Sequence, residues 1–131
     1  MKSGAISLAA IAATLLFAPA TFAGDAAAKS NKWRIELDGQ PLKTGDMQFR
    51  VTPSQGEPVD VVATIHSGRA ENNVAKDVRD AFAAKLDPER FTVEVDDGED
   101  ILVKKKDGQP DFALELIESD VRNVNIKVEG E

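Results

Sequence analysis

Apolar positions recur with a helical period in only one stretch of the chain, residues 70–86. They fall on one stripe of an α-helix, at Val74, Val78, Ala81, Phe82 and Leu86. Asp87-Pro88 follows the stretch, and a residue before proline is driven out of the α region. The pattern therefore predicts a single helix over residues 70–86.

Apolar and polar residues alternate with period two elsewhere in the body of the chain. Seven such segments are present, at 33–38, 47–52, 59–66, 91–95, 100–106, 112–116 and 123–128. Alternation of this kind predicts β-strands with one buried and one solvated face. The strand order is ββ β-α-ββββ, which indicates an α+β fold with a mostly antiparallel, curled sheet of about seven strands and one helix on one face.

The predicted helix is too narrow to cover all seven strands. A helix is roughly 10 Å wide, whereas strands lie about 4.8 Å apart. Either the sheet curls, or the first hairpin folds over as a second small layer. Val62, Leu102 and Ile117 fall on the faces that we predict to point outward. They are either scattered surface residues or part of a surface that another protein covers.

The N-terminus has the composition of a secretory signal peptide. Lys2 precedes an apolar run at residues 5–18, and small residues follow up to Ala23. The apolar run is shorter than the roughly 18–20 residues that span a bilayer, which argues against a membrane anchor. We therefore predict a signal peptide over 1–23, a flexible leader over 24–31, one domain over 32–131, and a periplasmic or secreted location.

The charge balance argues against several classes of partner. With Lys2 in the signal peptide, the remaining chain holds 15 basic and 23 acidic residues, a net charge of −8. Such a surface disfavours nucleic acid and anionic lipid as partners, because both are polyanions. The chain contains no cysteine, so disulfides, thiol nucleophiles and cysteine-ligated metals are excluded.

The densest acidic cluster is the predicted turn 96–100. Four carboxylates surround Gly98, at Asp96, Asp97, Glu99 and Asp100. Calcium takes six to eight oxygen ligands, and such a turn can supply several of them. The spacing does not match an EF-hand loop, and a solvated hairpin turn has the same composition. The four residues are therefore candidates for a weak calcium site.

The other chemistry-bearing residues are isolated. His66 is the only histidine and ends a strand just before the helix. Neighbouring residues on a strand point to opposite faces, so His66 is poorly placed to activate Ser67, which we interpret as an N-cap or turn residue. Residues 104–106 are all lysine, which is typical of an edge strand protected against aggregation.

No motif in the chain specifies a reaction, and no family resemblance is evident. The sequence favours an exported, non-catalytic binding module with an interaction or structural role in the cell envelope. Its partner would be another protein or a second copy, through open strand edges. Two other functions remain open: small-molecule or calcium binding, and a hydrolase activity that uses His66.

Overall fold

The computed structural model describes residues 28–131, which form seven β-strands and one α-helix. In chain order these are β1 (Lys32–Asp38), β2 (Gly45–Pro53), β3 (Val59–Ile65), α1 (Glu71–Lys85), β4 (Phe91–Asp96), β5 (Asp100–Lys105), β6 (Phe112–Ser119) and β7 (Asn125–Gly130). The predicted α+β class and element order are confirmed. The helix agrees closely with the predicted range, since Ala70 and Leu86 are its caps.

The strands form two antiparallel sheets. One contains four strands in the order β4-β5-β1-β7, and the other contains three in the order β3-β2-β6. Strands β1 and β2 therefore do not pair with each other, and neither do β5 and β6. The Asp107-Gly108 turn joins two sheets, although Asp-Gly is typical of a two-residue hairpin turn. Turn chemistry specifies a change of direction, but side-chain packing decides which strand becomes the neighbour.

The apolar faces of both sheets meet in one core. In β1, β2 and β3 the buried positions alternate, as Ile35 and Leu37 do in β1 and Phe49 and Val51 do in β2. Phe91 of one sheet packs edge-on against Phe112 of the other, with ring centroids 5.0 Å apart. The alternation predicted from the sequence is therefore the alternation between core and surface.

Helix α1 closes one side of this two-sheet structure. It packs mainly against β3 and β4, which are edge strands of different sheets. Val74, Val78 and Phe82 are fully buried on the inner side of the helix. The helix thus lies along two sheet edges, and this placement lets a single helix complete a seven-stranded core.

The ordered domain begins before β1. Ser30 forms an antiparallel bridge with Phe112, and the Asn31 carbonyl accepts a hydrogen bond from the Lys105 amide. The predicted leader 24–31 is therefore bound to both sheets at its last two residues. The predicted signal peptide, 1–23, lies outside the described residues. Among residues 28–131, no helix is long and apolar enough to cross a membrane.

Candidate functional site

Strand β7 is the one regular, uncovered sheet edge in the part of the chain that the structure describes. The edges at β3 and β4 lie against α1. The edge at β6 is paired with Ser30 at its start, and a bulge interrupts its pairing with β2 near Gln48. Strand β7 pairs with β1 without a register shift and contacts β6 only slightly. Bulges and covering elements protect edges from pairing, so β7 is the unprotected one.

The orientation of the β7 backbone follows from its last hydrogen bond to β1. The Glu131 amide donates to the Lys32 carbonyl at 2.8 Å. In an antiparallel ladder the N–H and C=O groups of successive residues point alternately to the two sides. The backbone groups of Ile126, Val128 and Gly130 therefore point to the free edge, where no partner is found among residues 28–131.

Alternating charges line the outer face of β7. The Lys127 Nζ lies 2.7 Å from Glu129 Oε2, and both side chains are well exposed. The hydrogen bond to Glu129 raises the pKa of Lys127 above its usual value. In β1, Glu36 is paired with Lys127 and Arg34 with Glu129. The outer face of this edge thus carries both charge signs in a fixed order.

The structure does not bring together the three apolar residues that we predicted to point outward. Val62 is half exposed on β3, and Ile117 is exposed to 37% at the β6 bulge. Leu102 is only 8% exposed, because its strand is an inner one and it lies between Arg34 of β1 and Glu94 of β4. Leu102 is therefore not an accessible interaction residue, and the three do not form one patch.

The predicted acidic turn is divided between two environments. Arg34 Nη1 lies 3.0 Å from Asp96 Oδ2 and 2.9 Å from Asp100 Oδ2. Asp97 is exposed at a left-handed position of the turn, with φ of 54°. Two of the four predicted calcium ligands are therefore already bound by the Arg34 guanidinium, and the four do not form one site.

Arg34 also binds the end of the chain. Its Nε donates to Glu131 Oε2 at 2.6 Å. Hydrogen bonds from Arg34 and Lys32 hold the pKa of the Glu131 carboxyl below its usual value. The three acidic partners raise the pKa of Arg34 further, the bond to Glu131 contributing most. Arg34 therefore fixes β7 and the β4–β5 turn to β1.

Glu99 belongs to a different acidic group, which the sequence did not reveal. Carboxylate oxygens of Asp38, Glu71 and Glu99 lie within 4.8 Å of one another. Glu71 also accepts a hydrogen bond from the Gly39 amide at 2.6 Å. Three carboxylates supply only part of the six to eight oxygens that calcium takes, so water would complete the shell. These three residues are far apart in sequence. They meet because the first residue of α1 lies beside the end of β1 and the start of β5.

His66 lies in a shallow, open depression of about 520 Å³ beside α1. Arg69, Asp77 and Asp80 line the same depression. Arg69 binds Asp77 through two hydrogen bonds of 3.0 and 2.8 Å, so that carboxylate is engaged. Ser67 lies in a turn and is not the helix cap, which is Ala70.

The lysine run 104–106 does not mark an edge strand. Strand β5 lies between β4 and β1, which corrects the interpretation of these lysines as edge protection. Lys104 binds Glu94 of the neighbouring strand, with 2.6 Å between Nζ and Oε2. Lys104 thus balances an acidic residue on the outer face of the larger sheet.

Sequence reasoning did not identify β7 as the open edge. Its alternation of Lys127 and Glu129 with Ile126 and Val128 indicates only a strand with one polar and one apolar face. Such a pattern fits a central or an edge strand equally well, since the order of strands in a sheet depends on distant pairings.

No family model, no curated protein and no solved structure matches this chain. The chemistry of its own residues is therefore the basis for any functional assignment.

Proposed function

We propose that this chain is an exported, non-catalytic protein-binding module that binds a strand of its partner at the free edge of β7. The export follows from the composition of residues 1–23, as described above. The binding mode is strand addition, in which a partner extends an existing sheet through main-chain hydrogen bonds.

The observation that carries this proposal is the uncovered edge of β7. Backbone groups at Ile126, Val128 and Gly130 point away from β1, and the strand has no bulge or proline to deter a partner. The other three edges are covered or interrupted. A partner strand would supply hydrogen bonds to these backbone groups, and the side chains beside it would give specificity.

The surroundings of His66 support a non-catalytic role. A general base needs a partner within hydrogen-bond reach and a site that limits access of water. The depression beside His66 is open, and the carboxylate of Asp77 is held by Arg69. The open shape of the depression also argues against small-molecule binding, because ligand pockets bury most of the ligand surface.

The edge can be tested by comparing two substitutions at Val128. Proline there removes an N–H that points to the free edge and not one that binds β1, and edge strands tolerate proline at such positions. Val128→Ala removes side-chain volume but keeps that N–H, so it is the matched control. We expect Val128→Pro to lose the protein partners that the wild type and Val128→Ala both capture from an envelope extract. Equal capture by all three proteins would contradict the proposal.

Weak binding of a divalent cation is the second candidate function. The observation that favours it is the convergence of Asp38, Glu71 and Glu99 from three separate elements. Like charges this close repel one another, and a cation would relieve that repulsion. The cation would then stabilise the fold near the end of β1, the inner strand that pairs with β7. A calcium titration that compares Glu99→Gln with a control in the same turn tests this function.

A further inference from the structure

We propose that the strand that β7 binds is β7 of a second copy of this chain, in an antiparallel pair centred on Val128. This inference rests on the proposed function and names its partner. A pair of this kind is related by a two-fold axis and joins two four-stranded sheets into one continuous sheet.

The backbone permits this register. Val128 presents its N–H and C=O to the free edge, as the bond between Glu131 and Lys32 requires. Around a two-fold axis at Val128, that residue exchanges two hydrogen bonds with the partner's Val128. Ile126 then lies opposite the partner's Gly130 and exchanges two more on each side of the axis. The edge-facing backbone N–H and C=O groups of Ile126, Val128 and Gly130 in each copy thereby gain hydrogen-bond partners.

The charges on the outer face favour this register over those centred on Lys127, Glu129 or Gly130. With the axis at Val128, Lys127 lies opposite the partner's Glu129, and the pair occurs twice. With the axis at Lys127 or at Glu129, like charges would oppose each other on the axis itself. Like charges directly opposite on neighbouring strands are destabilising, whereas opposite charges stabilise a pair. An axis at Gly130 would place Glu129 opposite the partner's Glu131, which is again unfavourable.

The neighbouring strand extends the same complementarity. Glu36 of β1 is paired with Lys127, and Arg34 is paired with Glu129. In the joined sheet the outer face therefore reads Glu36, Lys127, the partner's Glu129 and the partner's Arg34, with alternating sign across four strands. Lys127 and Glu129 of each copy then face an opposite charge on both neighbouring strands. The isolated copy offers Lys127 only its own Glu129 and the residue beside it on β1.

The inner face of the joined edge is apolar. Val128 is paired with the buried Ile35, and Gly130 with Trp33. The Trp33 ring lies over Gly130, within 3.5 Å of where a Cβ would stand. A partner strand would bring the partner's Ile126 next to Gly130 and so beside this ring. The contact adds apolar burial to the main-chain hydrogen bonds.

Cysteine cross-linking of the purified protein tests the register directly, because the chain has no cysteine of its own. Position 127 and the partner's position 129 form a pair without mutual backbone bonds, in which Cα atoms lie about 4.5 Å apart. A disulfide fits that spacing. Two copies of position 127 would be diagonal neighbours, roughly 7–8 Å apart, which is too far for an unstrained disulfide.

We therefore expect Lys127→Cys and Glu129→Cys to form a disulfide-linked dimer when mixed under mild oxidation, and each alone to remain unlinked. Leu42→Cys, at a side chain that is 71% exposed, measures random collision. Failure of the mixture to cross-link, or self-linkage of either variant above the Leu42→Cys level, would overturn the register.

Charge exchange gives a second readout that does not depend on oxidation. Lys127→Glu alone and Glu129→Lys alone each place like charges opposite one another in their own dimers. The mixture of the two restores an opposite pair at both positions. We expect each variant to dimerise at least about tenfold more weakly than the wild type, and the mixture to recover dimers in sedimentation equilibrium. Lys76→Glu, an equal charge change on the exposed side of α1, should leave dimerisation unchanged.

These outcomes separate the further inference from the proposed function. A protein that is monomeric at all concentrations overturns self-pairing. If Val128→Pro then still abolishes capture of another protein, the free edge binds a different partner and the proposed function stands. If Val128→Pro has no effect on capture either, both are wrong.

Discussion

The indole Nε1 of Trp33 donates a hydrogen bond to the carbonyl oxygen of Phe112 at 2.9 Å. Trp33 belongs to β1 of the larger sheet and Phe112 to β6 of the smaller one, so this buried bond joins the two sheets. The same carbonyl also accepts the Ser30 amide. The start of β1 is thereby held between both layers, which keeps the pairing between β1 and β7 in place.

Replacing this indole tests how strongly the bond joins the sheets. Trp33→Phe keeps an aromatic ring but removes the donor, and we expect a loss of about 1–2 kcal/mol in the free energy of unfolding. Urea denaturation followed by circular dichroism measures it, since the only tryptophan is lost. The exposed Leu42→Ala is the control and should change stability by less than about 0.5 kcal/mol. An equal effect of both variants would contradict the role of the bond.

The hydrogen bond between Arg34 and Glu131 makes the free energy of unfolding depend on pH. The pKa of Glu131 is lowered in the folded protein by its hydrogen bond to Arg34. A carboxyl with a lowered folded pKa stabilises the fold above its unfolded pKa, and the stabilisation is lost as the pH falls through the folded value. We expect Arg34→Gln to be less stable than the wild type at neutral pH and the difference to shrink in acid. A difference that is constant from neutral to acidic pH would contradict this linkage.

Gly39 is required by a close backbone approach. Its φ is +117°, and a Cβ there would collide with the Asn123 carbonyl oxygen. Gly108 also has positive φ, at +86°, but its Cβ would meet nothing within 4 Å. Gly108→Ala should therefore cost only the backbone strain, about 1–2 kcal/mol, whereas Gly39→Ala should cost more. Thermal unfolding of both variants decides the point, and equal losses would show that the Asn123 contact is unimportant.

Calcium provides the test of the acidic group at Asp38, Glu71 and Glu99. If the group binds the ion, calcium at ten times its dissociation constant stabilises the fold by about 1.4 kcal/mol and raises the melting temperature. Glu99→Gln should remove most of that increase, whereas Asp97→Asn, in the same turn but outside the group, should keep it. No increase in the wild type, or the same increase in Glu99→Gln, would contradict cation binding.

The sequence predicted the local elements well because their signals are local. Helix α1 could be placed to within one residue from its apolar stripe and the proline that follows it, and the alternation in β2 identified Phe49 and Val51 as core residues. These features depend on neighbours along the chain, where the helical and strand periods are decisive.

The arrangement of the strands could not be read in the same way. Strands β5 and β1 pair although more than sixty residues separate them, and no local pattern encodes that choice. For this reason the lysine run at 104–106 suggests an edge strand, although β5 is an inner one. The alternation likewise suggests an accessible Leu102, although that side chain is buried. The binding of Asp96 and Asp100 by Arg34 could not be predicted either, because Arg34 lies on β1 and the sequence of the turn does not specify that β1 is its neighbour.

Amide hydrogen exchange along β7 tests the central claim most directly. Val128, Ile126 and Gly130 should exchange their amide hydrogens rapidly in dilute protein, while the alternate residues that bind β1 are protected. As the concentration rises, or when a captured partner is added, we predict that protection increases at Ile126, Val128 and Gly130. Association that leaves these three amides as fast as before would contradict binding at the β7 edge.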